Sequence, residues 1–241
     1  VPFDVTAVDI PNKLKLPIII FGKSLKNIRY SLEIPSAQIK SGIALAALYI
    51  KGKTEIIEKH ITRNHTEIML KNFSADIEII KKNNNNHIII KGQKELLPKD
   101  INVPSDLSSA SFLIVAALIN KNSFIKMKNI NLNKTRSGIL KALKIMGGSI
   151  IIKNKKNING EEVGDLEVKS SQLKGCSLNS DIAKLMIDEY PILSIAASFA
   201  NSPSIFRGLS ELKIKESNRL ELIKKNLDIF GIYCKINNDD L

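Results

Sequence analysis

The sequence predicts an α/β protein built from a repeated subdomain. A Pro or Ser opens an Ala-rich helix, a turn and a β-branched strand follow, and this order recurs three times along the 241 residues. The helices are apolar over much of their surface, so we expect them inside, with sheets packed around them. A unit of roughly 60–90 residues is too long for an ordinary solenoid and suits a lobe assembled from a few α/β subdomains.

The first half of each copy is a helix and a strand. The first copy opens at Pro35-Ser36, the second at Pro104-Ser105 and the third at Tyr190-Pro191. Proline is favoured at the first helical position, and Ser is a common helix cap. From these points the predicted helices continue through the Ala-rich runs 41–48, 109–118 and 193–200, and the turns with their strands follow at 51–56, 122–125 and 202–206.

The second half of each copy adds another helix and a closing strand. These helices are predicted near 66–72, 135–146 and 216–230, and the strands at 76–80, 149–152 and 232–236. The Lys- and Asn-rich runs 81–86 and 153–157 are typical of solvated hairpin tips. The third copy is cut short at Leu241.

A domain boundary is predicted in the segment 91–103, where Pro98, Lys99 and Asp100 separate two copies. Residues 1–101 then form one part, with a full repeat at 35–95, and residues 102–241 form another, with one full and one truncated repeat.

The net charge of +12 has two interpretations. One is attraction of anions, either nucleic acid or phosphorylated metabolites. The other, which we favour for most of the excess, is a solvated surface rich in Lys and Asn. Aromatic residues make up 5% of the chain and do not interleave with the basic runs, so a stacking platform for single-stranded nucleic acid is not expected.

No membrane segment, metal site or disulfide is expected. The apolar stretches are shorter than the roughly 18 residues of a membrane-spanning helix. Cys176 and Cys234 stand far apart without a Cys-x-x-Cys motif, as in a reduced cytoplasmic protein, and the three histidines lack metal-ligand spacing. The start, Val-Pro-Phe-Asp, does not resemble a signal peptide and lacks Met, so we expect a missing upstream part.

Candidate binding residues cluster where helices are predicted to begin. A helix N-terminus presents unpaired N–H groups and a partial positive charge, which suits anions. Ser36 and Gln38 stand at the first such point and Asp188 just before another. The i, i+4 spacing of Lys215 and Arg219 would place both on one face of the last helix. Each also has a structural interpretation: a helix cap, a carboxylate that complements the helix dipole, or a solvated face.

Four motifs together resemble one family. They are Ser36-Ala37-Gln38-Ile39-Lys40-Ser41, Thr62-Arg63-Asn64-His65-Thr66-Glu67, Asp188-Glu189-Tyr190-Pro191 and Lys215-Glu216-Ser217-Asn218-Arg219. From about Leu16 to its end the chain resembles 5-enolpyruvylshikimate-3-phosphate (EPSP) synthase. The resemblance implies a two-lobed inverse α/β barrel built from β-α-β-α-β-β subdomains and truncated at both ends, with the substrate in the cleft between the lobes.

The resemblance also implies an activity and a set of roles. The family transfers the enolpyruvyl group of phosphoenolpyruvate to the 5-hydroxyl of shikimate-3-phosphate, without metal or organic cofactor. Ser36, Ala37, Gln38, Thr62 and Arg63 would bind shikimate-3-phosphate. Asp188, helped by Lys215, would act as base and also contact that substrate. Glu216 would protonate the methylene carbon, and Arg219 would bind phosphoenolpyruvate. The full-length protein is expected to be a cytoplasmic monomer that binds neither membrane nor nucleic acid.

Few motif residues differ from the family pattern, but long segments of the family sequence are missing. Thr62 keeps the hydroxyl of the usual Ser, whereas Asn64 and Asn218 replace Asp and are expected to loosen local capping or pairing. Segments that supply much of the phosphoenolpyruvate site have no counterpart here, so this chain is expected to be incomplete for catalysis.

Two alternative functions are also compatible with the sequence. One is the sister enzyme that transfers enolpyruvyl to UDP-N-acetylglucosamine, which shares the repeat and the reaction; His65-Thr66-Glu67 and the run from Lys215 argue against it. The other is a basic, non-catalytic nucleic-acid-binding module, which the charge favours and the missing recognition elements disfavour.

Overall fold

The computed structural model describes the backbone of residues 4–7 and 18–21 and all of residues 24–241. The start of the family resemblance near Leu16, and the first three residues, lie outside this part of the chain. The chain separates into two compact units, residues 1–99 and 100–241.

The first unit contains a four-stranded mixed sheet with two helices. Its elements, in chain order, are β1 Asp4–Ala7, β2 Ile18–Phe21, β3 Arg29–Ser31, α1 Ala37–Ala47, β4 Lys53–Glu58, α2 His65–Asn72, β5 Asp76–Lys82 and β6 Asn85–Lys91. The sheet order is β3-β4-β6-β5, with β3 parallel to β4 and the other pairs antiparallel, while β1 and β2 form a separate hairpin.

The second unit contains a three-stranded antiparallel sheet, more helices and a small parallel pair of strands. Its elements are α3 Leu107–Ile119, β7 Phe124–Asn131, α4 Gly138–Ile145, β8 Ser149–Ile158, β9 Glu161–Lys169, β10 Ser177–Leu178, α5 Ser180–Ala183, α6 Tyr190–Ser198, β11 Ile205–Phe206 and α7 Arg219–Ile229. The large sheet has the order β7-β9-β8, and β10 pairs with β11. Two 3₁₀ turns, Ile187–Glu189 and Ser210–Ile214, precede α6 and α7.

The repeat predicted from the sequence is confirmed at the level of its helices and strands. All six predicted helices are present, as α1 to α4, α6 and α7, and each is followed by a strand except the last. Hairpin tips were predicted, but the second strands of the two hairpins, β6 and β9, were not located from the sequence. Both hairpins have two-residue loops with positive φ, Asn83-Asn84 and Asn159-Gly160, the residue types that a type I′ turn favours.

Three boundary predictions are wrong. The second helices of the second and third copies begin at Gly138 and Arg219, three residues later than predicted, because Ser137 and Asn218 occupy the N-cap positions. The run 153–157 is not a hairpin tip but lies inside β8, where the register with β9 shifts between Lys153 and Lys156. The loop itself is two residues further on.

The predicted strand at 232–236 is also wrong. Ile232, Cys234 and Ile236 alternate with exposed residues and pack against the core, so the period-two pattern is correct. Among the described residues, however, no neighbouring strand pairs with this segment, and only an isolated bridge joins Asn237 to Asp240. An extended segment without a partner does not form a β-ladder.

The core of each unit lies between its helices and its sheet, as the apolar helices predicted. In the first unit Ala44 and Ala47 of α1 pack on Ile56, Ile88 and Ile90 of the sheet. The second unit has the more extensive core, in which α3, α4, α6 and α7 contribute fully buried side chains such as Ile114, Leu118, Ile139, Leu143 and Leu220. The small Ala residues let helix and sheet approach closely, which is why the helices are rich in Ala.

In the part of the chain that is described, every helix is either too short or too polar to cross a bilayer. Cys176 and Cys234 are both free thiols, and burial raises the pKa of each.

Candidate functional site

The first group of predicted binding residues stands at the start of α1. Ser36 is the N-cap, and its hydroxyl oxygen accepts a hydrogen bond from the N–H of Ile39 at 3.3 Å. Ala37 and Gln38 form the first turn, and Gln38 is exposed. The hydroxyl proton of Ser36 is not needed for the cap and is left to donate. The structural interpretation of Ser36 as a cap is therefore confirmed, and it leaves room for a ligand at the same N-terminus.

Thr62 and Arg63 lie in the loop between β4 and α2, and both are half-buried. Oε1 of Glu58 accepts from the N–H of Thr62 at 2.8 Å and from its hydroxyl at 2.6 Å. Since the hydroxyl proton of Thr62 goes to Glu58, its oxygen is left as an acceptor. In this arrangement Thr62 accepts from a ligand hydroxyl rather than donating to a phosphate.

A buried charged network connects these two groups of residues, and it consists of Lys40, Glu58 and Glu67. Nζ of Lys40 lies 3.0 Å from Oε1 of Glu58 and 2.6 Å from Oε1 of Glu67. Lys40 is 1% exposed, and both glutamates are 2% exposed. We call this set the Lys40 network. Lys40 and Glu67 belong to motifs quoted from the sequence, but their burial and their mutual contact were not predicted.

In the second unit, Arg219 brings together two of the predicted catalytic residues. Nη1 of Arg219 lies 3.0 Å from Oδ1 of Asp188, and Nη2 lies 2.6 Å from Oε2 of Glu216. Asp188 belongs to the 3₁₀ turn directly before α6, at the mouth of that helix as predicted. Arg219 is the first residue of α7. The planar guanidinium thus bridges two carboxylates from different elements.

Lys215 does not share the helix of Arg219, contrary to the i, i+4 interpretation. It follows the 3₁₀ turn with extended backbone, and Asn218 separates it from α7 by capping that helix. Its ammonium pairs with Glu211 instead. The partner of Lys215 could not be identified from the motif, because Glu211 lies outside it.

The two Asn-for-Asp departures behave differently. The side chain of Asn218 accepts from the N–H of Glu221 at 3.3 Å, so the cap of α7 is retained. Asn64 occupies the N-cap position of α2 but makes no side-chain cap hydrogen bond. The expected loosening of capping is therefore wrong for Asn218.

A second polar network surrounds the residue next to Asp188 and was not predicted. Glu189 is 2% exposed, and the hydroxyl of Ser108 in α3 donates to it. Arg136 donates from Nη2 to Ser108 Oγ at 2.7 Å and pairs with Asp106, the N-cap of α3, at 3.0 Å. These contacts fix the turn that carries Asp188. Their only sequence signal was the Asp-Glu pair in the motif.

Electrostatics favours the ionised form of Glu216. A hydrogen bond from its own backbone N–H and another from Arg219 lower the pKa of this carboxyl. Hydrogen bonding to Glu216, and then to Asp188, raises the pKa of Arg219 against the opposing effect of burial. As the cluster stands, Glu216 is a carboxylate and not a proton donor at neutral pH.

Among the described residues, no three His, Cys, Asp or Glu side chains come close enough together to hold a metal ion.

Comparison with known proteins places these residues in a family context. The family profile described as EPSP synthase (3-phosphoshikimate 1-carboxyvinyltransferase) matches residues 4–241. A 3-phosphoshikimate 1-carboxyvinyltransferase from Petrotoga mobilis is 48% identical over 218 residues, which is 90% of this chain and 50% of that protein. The enzyme of the same name from Mesorhizobium japonicum is 44% identical over 222 residues, 91% of this chain and 49% of that protein.

Solved structures agree in fold. An EPSP synthase structure from Acinetobacter baumannii matches with a TM-score of 0.83 and 37% identity, over 99% of this chain and 53% of that one. An enolpyruvyl transferase from Streptomyces tendae matches with a TM-score of 0.60 over 86% of this chain and 48% of that one, and at 14% identity it shares the fold alone. The chain spans about half the length of the relatives and structures it matches.

Proposed function

The chain belongs to the EPSP synthase family, and on that premise we propose that a protein of full family length carrying it is an enolpyruvyl transferase. It transfers the enolpyruvyl group of phosphoenolpyruvate to the 5-hydroxyl of shikimate-3-phosphate and releases phosphate. The family match supports this reaction over transfer to UDP-N-acetylglucosamine and over a non-catalytic nucleic-acid module.

The observation that carries the proposal is the cluster in which Arg219 bridges Asp188 and Glu216. The reaction needs a base for the attacking hydroxyl, an acid for the vinyl carbon and a cation for the anionic donor substrate. Asp188 is the proposed base, Glu216 the proposed acid and Arg219 the proposed phosphoenolpyruvate ligand. Lys215 assists Asp188 at the attacking oxygen.

The ion pairs in this cluster imply an exchange on substrate binding. A carboxylate or phosphate of phosphoenolpyruvate can take over the planar fork of Arg219, since both present two oxygens at suitable spacing. Glu216 keeps the hydrogen bond from its own backbone N–H but loses the one from Arg219, so its pKa rises from its lowered value and its affinity for a proton increases. The donor substrate would thereby prepare the acid that its own methylene carbon requires.

Shikimate-3-phosphate is proposed to contact Ser36, Ala37, Gln38, Thr62, Arg63, Asp188 and Lys215. The N-terminus of α1 and the guanidinium of Arg63 suit the phosphate. Thr62, whose proton is held by Glu58, suits a substrate hydroxyl. We further propose that residues 1–101 and 102–241 are parts of the two lobes of the family fold, and that the protein is a cytoplasmic monomer without affinity for nucleic acid.

Phosphate release by a protein of full family length tests the proposal. We expect release to require shikimate-3-phosphate and phosphoenolpyruvate together, with one phosphate formed per enolpyruvyl ether. Replacing shikimate-3-phosphate with UDP-N-acetylglucosamine should abolish release. If the UDP-sugar supports turnover instead, or if the protein binds an arbitrary oligonucleotide in a salt-dependent manner and neither substrate, the proposed function is wrong.

A further inference from the structure

The Lys40 network is a group of buried charges that the proposed reaction does not use. Removing one ammonium and two carboxylates from water is unfavourable, and apolar side chains of similar volume often stabilise a fold at least as well. Stability alone therefore does not account for Lys40, Glu58 and Glu67 in the interior of the first unit.

The position of Lys40 gives it a connecting role. It lies one turn into α1, and its N–H donates to the carbonyl of Ser36 at 3.1 Å. Its ammonium contacts Glu58, the last residue of β4, and Glu67 in the first turn of α2. The turn of Ser36–Gln38 is thereby attached to both ends of the loop that carries Thr62 and Arg63.

A single oxygen atom of Glu58 makes the contacts with both Thr62 and Lys40. Oε1 of Glu58 accepts from Lys40, from the N–H of Thr62 and from its hydroxyl, while Oε2 accepts from Asn86 at 3.2 Å. In the other glutamate of the network, Glu67, Oε2 is buried and has no hydrogen-bond partner among the described residues.

Loss of the ammonium would leave the two carboxylates facing each other without a cation. Like charges in a buried site repel more strongly than in water, so Glu58 and Glu67 would separate. Because Glu58 fixes the backbone and side chain of Thr62, the loop would move with it.

We infer that Lys40 is a positioning residue for shikimate-3-phosphate. Its ammonium sets the distance between the Ser36–Gln38 turn and the Thr62–Arg63 loop, and at 1% exposure it does not touch the substrate itself. This inference rests on the proposed function, since it concerns how the binding residues named there are held in place.

The test is steady-state kinetics on a protein of full family length with Lys40→Met, which keeps the length of the side chain and removes the charge. Misplaced binding groups weaken binding strongly, so we expect the KM for shikimate-3-phosphate to rise about tenfold or more, with the KM for phosphoenolpyruvate unchanged. Lys71→Met, the same substitution at an exposed position of α2, is the matched control and should leave both values as they are.

The possible results distinguish a failure of the positioning role from a failure of the proposed function. An unchanged KM for shikimate-3-phosphate in Lys40→Met, or an equal rise for both substrates, overturns the positioning role. If the unsubstituted protein does not turn over the two substrates at all, the proposed function fails instead. If Lys40→Met does not fold, as judged by its melting curve, Glu67→Gln replaces it. That variant weakens the contact of Lys40 with α2, leaves the hydrogen bonds from Thr62 to Glu58 in place, and is judged by the same pair of KM values.

Discussion

At the scale of single residues, Arg219 occupies the centre of the candidate site. It contacts Asp188 at 3.0 Å and Glu216 at 2.6 Å, although these carboxylates are 28 positions apart in the sequence. Either carboxylate also has a purely structural role open to it, as a charge near the N-terminus of α6 or α7. Such a charge contributes about 0.3–1 kcal/mol of stability, whereas a general acid or base contributes roughly 10²–10⁴ in rate.

Asp188→Asn and Glu216→Gln separate these roles in a protein of full family length. Both substitutions keep the side-chain shape, so we expect nearly unchanged melting temperatures and a loss of turnover of about a hundredfold or more. Asp188→Asn should also weaken shikimate-3-phosphate binding, measured by calorimetry, because its carboxylate is proposed to accept from substrate hydroxyls. Glu216→Gln should leave that binding intact.

Glu221→Gln provides the control, since Glu221 is an exposed carboxylate in the first turn of α7 with no proposed role. Retention of more than about a tenth of the original turnover by either test variant would assign that carboxylate to the helix end rather than to the chemistry.

At the scale of elements, one aspartate organises the large sheet of the second unit. The register of β9 shifts against both of its neighbours, between Met127 and Ile130 of β7 and between Lys153 and Lys156 of β8. Oδ1 of Asp165 accepts from the N–H of Asn129 at 3.0 Å, and Oδ2 accepts from Asn154 at 2.8 Å. Both asparagines have positive φ, as bulged residues often do. One carboxylate thus holds two bulges in place.

This arrangement predicts a pH dependence. The hydrogen bond from Asn154, followed by that from Asn129, lowers the pKa of Asp165. A carboxyl whose folded pKa is lowered contributes stability above its unfolded pKa, about 3.9, and loses it as the pH falls through the folded value. Asp165→Asn should therefore melt at a lower temperature than the original chain at neutral pH, and the difference should shrink below about pH 4.

Circular-dichroism melting from pH 7 to pH 3 measures this effect. Asp181→Asn, at an exposed position of the short helix α5, serves as the matched control and should show no such convergence. A melting difference for Asp165→Asn that stays constant across the range would show that its ionisation does not support the bulges.

At the scale of the whole molecule, the length and charge of the chain limit the catalytic activity expected of it in isolation. It spans about half of its curated relatives, and its net charge is +12. Phosphoenolpyruvate is strongly anionic, and stabilising its reaction requires several cations aimed at developing charge. In this chain Arg219 is the cation proposed for that substrate, whereas Lys215, which pairs with Glu211, is proposed to act at the attacking oxygen of the other substrate.

We therefore expect the isolated chain of 241 residues to show negligible synthase activity even when folded. The measurement is phosphate release with both substrates, set beside a protein of full family length carrying the same sequence. Turnover by the isolated chain close to that of the longer protein would mean that the remaining cations suffice.

The sequence by itself determined the repeat, most of the secondary structure and the residues of the four motifs. These properties depend on short-range signals: apolar periodicity, Pro and Ser at helix starts, and the Lys- and Asn-rich run at the first hairpin tip. Where a short-range signal was incomplete, the prediction was wrong. The segment 232–236 has the alternation of a strand, but nothing in the described part of the chain pairs with it as a neighbouring strand. At α7, Asn218 rather than Glu216 marks the start of the helix.

Only the tertiary structure decided how the motif residues are paired. In the sequence nothing distinguishes Lys40 from other lysines. In the structure its ammonium contacts Glu58 and Glu67, which are 18 and 27 positions away in the chain. Lys215 was predicted on the same helix face as Arg219, but its ammonium pairs with Glu211. A charged side chain has several possible partners within reach of its sequence position, and packing of distant elements selects one of them. The burial of Lys40 and the pairing of Arg219 with Asp188 follow from that selection.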